Sequence, residues 1–165
     1  MAQGYRVGFI GSSDNHHGVS GVHAYPSRFT NLSYHGGLAV VLADELTREA
    51  IFDALYERKC YATTGVRIYL DFRINGKIMG SEIKTKKDDY VKIEVFVLGT
   101  SPIAKVEILK NNHIIYTFTE GKCDHVEFEI EDKVTKNSFY YARVIQVDRN
   151  IAWSSPIWVD VQFLV

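Results

Sequence analysis

The sequence predicts an α+β protein that is mostly β, ending in an immunoglobulin-like antiparallel β-sandwich over residues 65–165. Three observations carry this expectation. About seven strand-like runs follow one another in about 100 residues, which is the density of a sandwich. Tight-turn signals, Asn75-Gly76 and Asn111-Asn112, separate apolar alternations. Aromatic residues reach 13%, carried by 10 Tyr and 9 Phe, and aromatic rings suit a pleated, half-buried surface.

Along the chain, Arg6-Val7-Gly8-Phe9-Ile10 reads as a short buried strand. Residues 11–37 keep no period and are rich in Gly, Ser, Asn and His, as a functional loop would be. Leu38–Ala43 is a continuous apolar run, expected for a segment buried on both faces. Thr47 is a suitable N-cap for a helix reaching about Arg58, with Glu49 in the first turn and Arg58 and Lys59 at the end, charges that complement the helix dipole. Ile51, Ala54 and Leu55 make one apolar face of that helix.

Past Gly65 the period becomes two. Val66, Ile68, Leu70, Phe72 and Ile74 share one face, and Tyr90–Leu98 alternates again. Val106–Lys110 and His113–Thr119 flank the Asn111-Asn112 turn. His125–Ile130, Ser138–Val147 and Ile157–Leu164 complete the strands. The charged stretch Lys84–Asp89 reads as a solvated loop, and Thr63-Thr64-Gly65 as a tight turn between a first unit, 1–64, and the sandwich, 65–165. Cys60 and Cys123 do not bracket a Trp, so an antibody-type disulfide framework is not expected.

Composition bounds the function. The 165 residues carry a formal net charge of −1, which gives no basic surface for nucleic acid or an anionic membrane. No run approaches the ~20 apolar residues of a membrane span. Two cysteines suit a reduced, cytoplasmic setting.

The stretch GFIGSSDNHHG, residues 8–18, carries the chemistry. Asp14 and His16 follow a strand end, and in extended backbone positions i and i+2 point the same way, so both can face one ion. Carboxylate plus imidazole suits Zn, Mn or Fe. His17, His23 and His35 are further candidates for supporting the site; four of the six histidines fall between residues 16 and 35. The plain alternative is an Asp that forms a turn by bonding its own backbone. Trp153 and Trp158 are expected to pack the sandwich or its join to the helix; Arg67, Glu45 and Arg48 are expected at the surface.

The segment from Gly8 to Gly80 resembles the C-terminal end of a family of uncharacterised proteins that carry a PHP-like barrel, PHP denoting the polymerase and histidinol phosphatase superfamily of metal-dependent phosphoesterases. The residues concerned are Gly8–His16, Gly37-Leu38-Ala39, Leu46–Ile51, Tyr61–Ile68, Asn75-Gly76 and, later, Trp153–Val159. The resemblance implies that residues 1–64 are a remnant of a PHP-type α/β barrel, one or two strands and a helix. It implies that Asp14 and His16 are two ligands of a divalent-metal cluster used in phosphoester hydrolysis. The H-x-H motif that opens such barrels is absent. The remaining ligands are therefore expected from the rest of the barrel, in the same parent chain or a separate subunit, and the chain alone is expected to be inactive. The alternative is a non-catalytic interaction module, prone to self-association through an uncovered barrel face.

Overall fold

The computed structural model describes residues 4–13, 24–26, 33–119 and 121–162. In chain order the elements are β1 (Ala24–Pro26), β2 (Ser33–His35), β3 (Leu38–Val41), α1 (Arg48–Tyr56), β4 (Cys60–Thr63), β5 (Tyr69–Ile74), β6 (Lys77–Ile78) and β7 (Glu82–Lys86). There follow β8 (Tyr90–Leu98), β9 (Ile103–Lys110), β10 (His113–Phe118), β11 (His125–Lys133), β12 (Ser138–Gln146), β13 (Ile151–Ser154) and β14 (Ile157–Gln162).

Two sheets face each other across one apolar core. The smaller has the order β11-β8-β5-β6. Its inward residues are those that the two-residue period picks out: Leu70, Phe72 and Ile74 from β5, and Val91, Ile93, Val95 and Val97 from β8, each at most 2% exposed. The larger sheet has eight strands, along the path β10-β9-β12-β13-β4-β3 with β14 and β7 branching from it. It contributes Val106, Ile108, Tyr140, Ala142, Val144 and Ile157 to the same core. The architecture is thus mostly β and sandwich-like.

The branch has a simple cause. β12 is long, and one side of it pairs twice: Arg143–Ile145 with β13, and Ser138–Tyr140 with β14. Between β13 and β14 stand Ser155 and Pro156. Proline has no N–H to give to a ladder, and the chain departs there toward the second branch. Buried Ser154 fills the gap, its Oγ accepting from Ala142 N at 2.9 Å.

Two hairpins turn where expected. Asn75 and Gly76 have φ of 49° and 72°, and Asn111 and Asn112 have 52° and 67°, the left-handed pairs that match the twist of a tight hairpin. Each leading Asn also reaches a neighbouring strand: Asn75 Oδ1 accepts from Lys92 N at 2.8 Å, and Asn111 Oδ1 from Phe139 N at 3.0 Å. The helix is capped as expected, Thr47 Oγ1 accepting from Ala50 N.

Several expectations are corrected. Residues 6–10 join no ladder among the described residues, and Val7 and Ile10 are 49% and 61% exposed rather than buried. Individual bonds hold this segment instead, as described below. Within residues 11–37, β1 and β2 form a small antiparallel pair. The stretch read as a loop at Lys84–Asp89 belongs in part to β7, which runs parallel to β14 and is the one parallel pairing among the described strands. Its charged residues sit on the outward positions of an edge strand, where charge discourages further pairing. Leu38–Val41 is half-buried, and Ala39 is exposed. The expected boundary at 64/65 falls just after β4, yet β4 pairs with β13 and β3 with β4, so the large sheet runs from one side of that boundary to the other.

Candidate functional site

The site begins where residues 8–13 lie against the sheet. Glycines allow the approach. A Cβ on Gly11 would stand 2.5 Å from Leu38 O, and one on Gly36 would stand 2.4 Å from Ser13 Cα. Backbone bonds then fix the segment: Phe9 N donates to Ser155 Oγ at 2.8 Å, and Gly37 N donates to Ser12 O at 2.9 Å. Ser155 lies at the fork between β13 and β14 and also meets the Cys60 thiol at 3.7 Å. Burial raises the pKa of that thiol, only partly opposed by the Ser155 contact.

Arg6 anchors the start of the segment. Its guanidinium grips Asp160 of β14 with two bonds, 2.8 and 2.7 Å, and Glu82 of β7 at 2.5 Å. The Asp160 bond is the main reason its pKa rises further. Glu82 also receives Arg58, 2.9 Å away. Arg58 ends the helix in a left-handed conformation, φ 62°. Its N–H bonds Leu55 O while Lys59 N bonds Ala54 O, the two-bond closure that glycine normally serves. An arginine is held there by its head group, which also donates to Gly80 O at 3.2 Å and lies 5.0 Å over the Trp158 ring. Trp158 thus packs at the join to the helix, as expected.

Beside this segment opens a cavity of ≈ 620 Å³ whose walls include Phe9, Ile10, Ser12, Thr64 and Trp153. It is mainly apolar. Thr64 is committed to structure: Ile151 N donates to its Oγ1, which in turn donates to Asn150 Oδ1, each at 2.9 Å.

Of the residues singled out in the sequence, Asp14, His16, His17 and His23 lie outside the described residues. His35 ends β2, paired with Ala24. Ser13, which precedes Asp14, abuts Gly36, which follows His35. The backbone therefore brings the two ends of the histidine-rich stretch together. Among the described residues no group of three or more His, Cys, Asp or Glu is placed to share an ion. Arg67 is exposed, as are Glu45 and Arg48. The Arg6–Glu82–Arg58–Asp160 cluster was not legible in sequence: its members are 76 and 154 positions apart and no motif links them.

Comparison with known proteins adds a family model described as "Protein of unknown function (DUF3604)", which matches residues 23–95. An uncharacterised protein of Chlamydia pneumoniae is 34% identical over 180 aligned positions, covering 98% of this chain and 28% of that protein. An uncharacterised protein of Chlamydia trachomatis is 39% identical, covering 78% of this chain and 23% of its own length. The chain thus spans about a quarter of the length of the curated relatives it matches. Among solved structures, fibronectin(III)-like modules of Clostridium thermocellum CbhA align at 18% identity with a TM-score of 0.37, over 50% of this chain and 87% of that one. No helix among the described residues is long and apolar enough to cross a membrane.

Proposed function

We propose that this chain is the C-terminal portion of a PHP-type metal-dependent phosphoesterase, contributing Asp14 and His16 as two metal ligands and lacking the rest of the barrel. The observation that carries the reading is the seating of residues 8–13: glycines and an arginine clasp fix, beside an open cavity, the segment that precedes Asp14 in the chain. In barrels of this kind metal ligands follow the C-terminal ends of strands, and the resemblance gives Asp14 and His16 that position. The length of the relatives supports it as well, because most of such a protein lies outside the matched region.

The metal, Zn, Mn or Fe by donor chemistry, would polarise a phosphoryl oxygen and activate water when bound. One carboxylate and one imidazole are fewer than the three protein ligands of a catalytic zinc, so no hydrolytic step is assigned to this chain by itself. Its own residues hold the segment before Asp14, through Arg6, Ser155 and Gly37, and shape the cavity through Phe9 and Trp153.

The test is turnover of a chromogenic phosphoester with Mn²⁺ or Zn²⁺. The chain alone should be inactive, and the full-length Chlamydia pneumoniae relative active and metal-dependent. Robust turnover by this chain, abolished by Asp14→Ala, would refute the incompleteness while supporting the ligands. A metal-free, inactive relative would refute the activity.

A second reading is a non-catalytic interaction module acting on a partner chain. It is favoured by the apolar residues that α1 leaves in solvent, Phe52 and Tyr56 above all. Phosphoesterase activity in the relative would decide against it.

A further inference from the structure

The helix α1 carries two apolar stripes. Ala50, Ile51 and Ala54 turn toward the sheet, with Ala54 at 5% exposure. Phe52, Leu55 and Tyr56, at spacings i, i+3 and i+4, form a second stripe that stays in solvent at 65%, 40% and 79% exposure. Leu46, ahead of the N-cap, is 93% exposed. Arg48, Glu49 and Asp53 are the helix's remaining residues. Six of its nine residues are apolar, more than the contact with the sheet covers. Phe52 and Tyr56 stack on each other, centroids 6.3 Å apart and planes 16° apart, which presents one continuous surface. The N-terminal segment adds to it at the helix end: a Cβ on Gly8 would stand 3.1 Å from Arg58 Cβ, and the flanking Val7 is exposed.

We infer that this second face of α1 is the seat of the additional polypeptide that the longer relatives carry. Those relatives match 98% and 78% of this chain, yet the chain accounts for only 28% and 23% of their length. A large covalently joined body is therefore the natural cover. A second copy is the competing occupant, and the area argues against it. At about 200 Å² for a full side chain, Leu46, Phe52, Leu55 and Tyr56 offer about 550 Å². A stable dimer needs ~800 Å² from each partner. Domains in one chain manage with less, because the tether supplies an effective concentration in the millimolar range.

The inference rests on the reading above only in assuming further chain; it needs neither metal nor turnover, so the two fail separately. The test is carbene footprinting with mass spectrometry. It would compare this 165-residue chain with the full-length Chlamydia pneumoniae relative over the region aligned to residues 46–56. Here the helix should label heavily, and in the relative about fivefold less or lower still, as expected for a covered element. Equal labelling would overturn the inference. So would light scattering that finds a dimer of this chain which a Phe52→Glu/Tyr56→Glu variant converts to monomer. That variant should leave the melting temperature unchanged, because the stripe takes no part in the core; a large loss would show the stripe to be part of this chain's own fold and overturn the inference as well.

Discussion

Replacing Tyr61 by Phe isolates one oxygen atom that joins the two sheets. Tyr61 lies on β4 in the large sheet and is 1% exposed. Its hydroxyl donates to Ile68 O at 2.9 Å and accepts from Leu70 N at 3.2 Å, at the entry to β5 in the small sheet. β6 is too short to cover Leu70, pairing only with Arg73 and Ile74, so the phenol takes the place of a missing strand. Tyr61→Phe keeps the ring and strands two buried backbone groups. At about 1–3 kcal/mol for a buried group left unsatisfied, and with some relief by relaxation, the loss should be about 3 kcal/mol. For a chain of this size that is a fall of about 6–12 °C in Tm, measurable by calorimetry and by urea denaturation. A loss below about 0.5 kcal/mol, the scale of an ordinary surface change, would refute the bridge. A second readout uses pH. Desolvation pushes the Tyr61 pKa up to about 12, against an ordinary 10. A raised pKa favours the neutral form in the folded state, so this contribution is intact below pH ~10 and is lost as pH rises toward about 12. The variant should therefore lose less stability than the parent between those values.

Three further outcomes are expected. Asp160→Asn removes the paired charge from Arg6, which is part-exposed, so global stability should fall by only about 0.5–1 kcal/mol; amide exchange at Phe9 and Gly37 should nonetheless accelerate, and unchanged exchange there would mean the clasp does not hold residues 8–13. Arg58→Gly relieves a left-handed backbone worth about 1–2 kcal/mol but forfeits Glu82, Gly80 and Trp158, so chemical denaturation should show a net change within about 1 kcal/mol, whereas Arg58→Ala should lose on both counts. Glu107 is 2% exposed and, despite its desolvation, is held below the usual carboxylate range by Lys105 at 2.6 Å and Arg143 at 2.5 Å. Its contribution is present above its unfolded value and lost as pH falls through the lowered one, so Glu107→Gln should flatten the acid limb of a stability–pH curve, at a cost of about 1.5–3 kcal/mol near neutrality.

What could be read from sequence was local. Thr47 caps its helix, both Asn-led turns form, and the two-residue period of β5 and β8 identifies their buried faces. What could not be read was set by distant partners. β4 and β13 are four residues each and gain strand identity from their partners, β3, β12 and each other, the last pairing across about 90 positions. β7 is too polar to announce itself because an edge strand is buried on few positions. Arg6-Val7-Gly8-Phe9-Ile10 has strand composition without a described ladder partner, so apolar side chains predicted inside stand at the surface. The Asp14-x-His16 spacing was legible as a pattern, and its reading as a pair of metal ligands belongs to the proposal. The clasp that steadies the segment before it, Arg6 with Asp160 and Glu82, is a product of the fold.

The fork at Ser155-Pro156 gives the large sheet a seam. One arm, β13-β4-β3, leads to the backing of residues 8–13; the other, β14-β7, carries the carboxylates that Arg6 grips. Phe9 is pinned at the crotch itself. Residues 6–13 work as a stitch across the seam, fastened to one arm at their start and lying against the other beyond. An insertion of one residue at the fork would leave β13 in register and turn every side chain of β14 to the opposite face. Asp160 would then point away from Arg6, and the stitch would come undone without any change in the segment it holds.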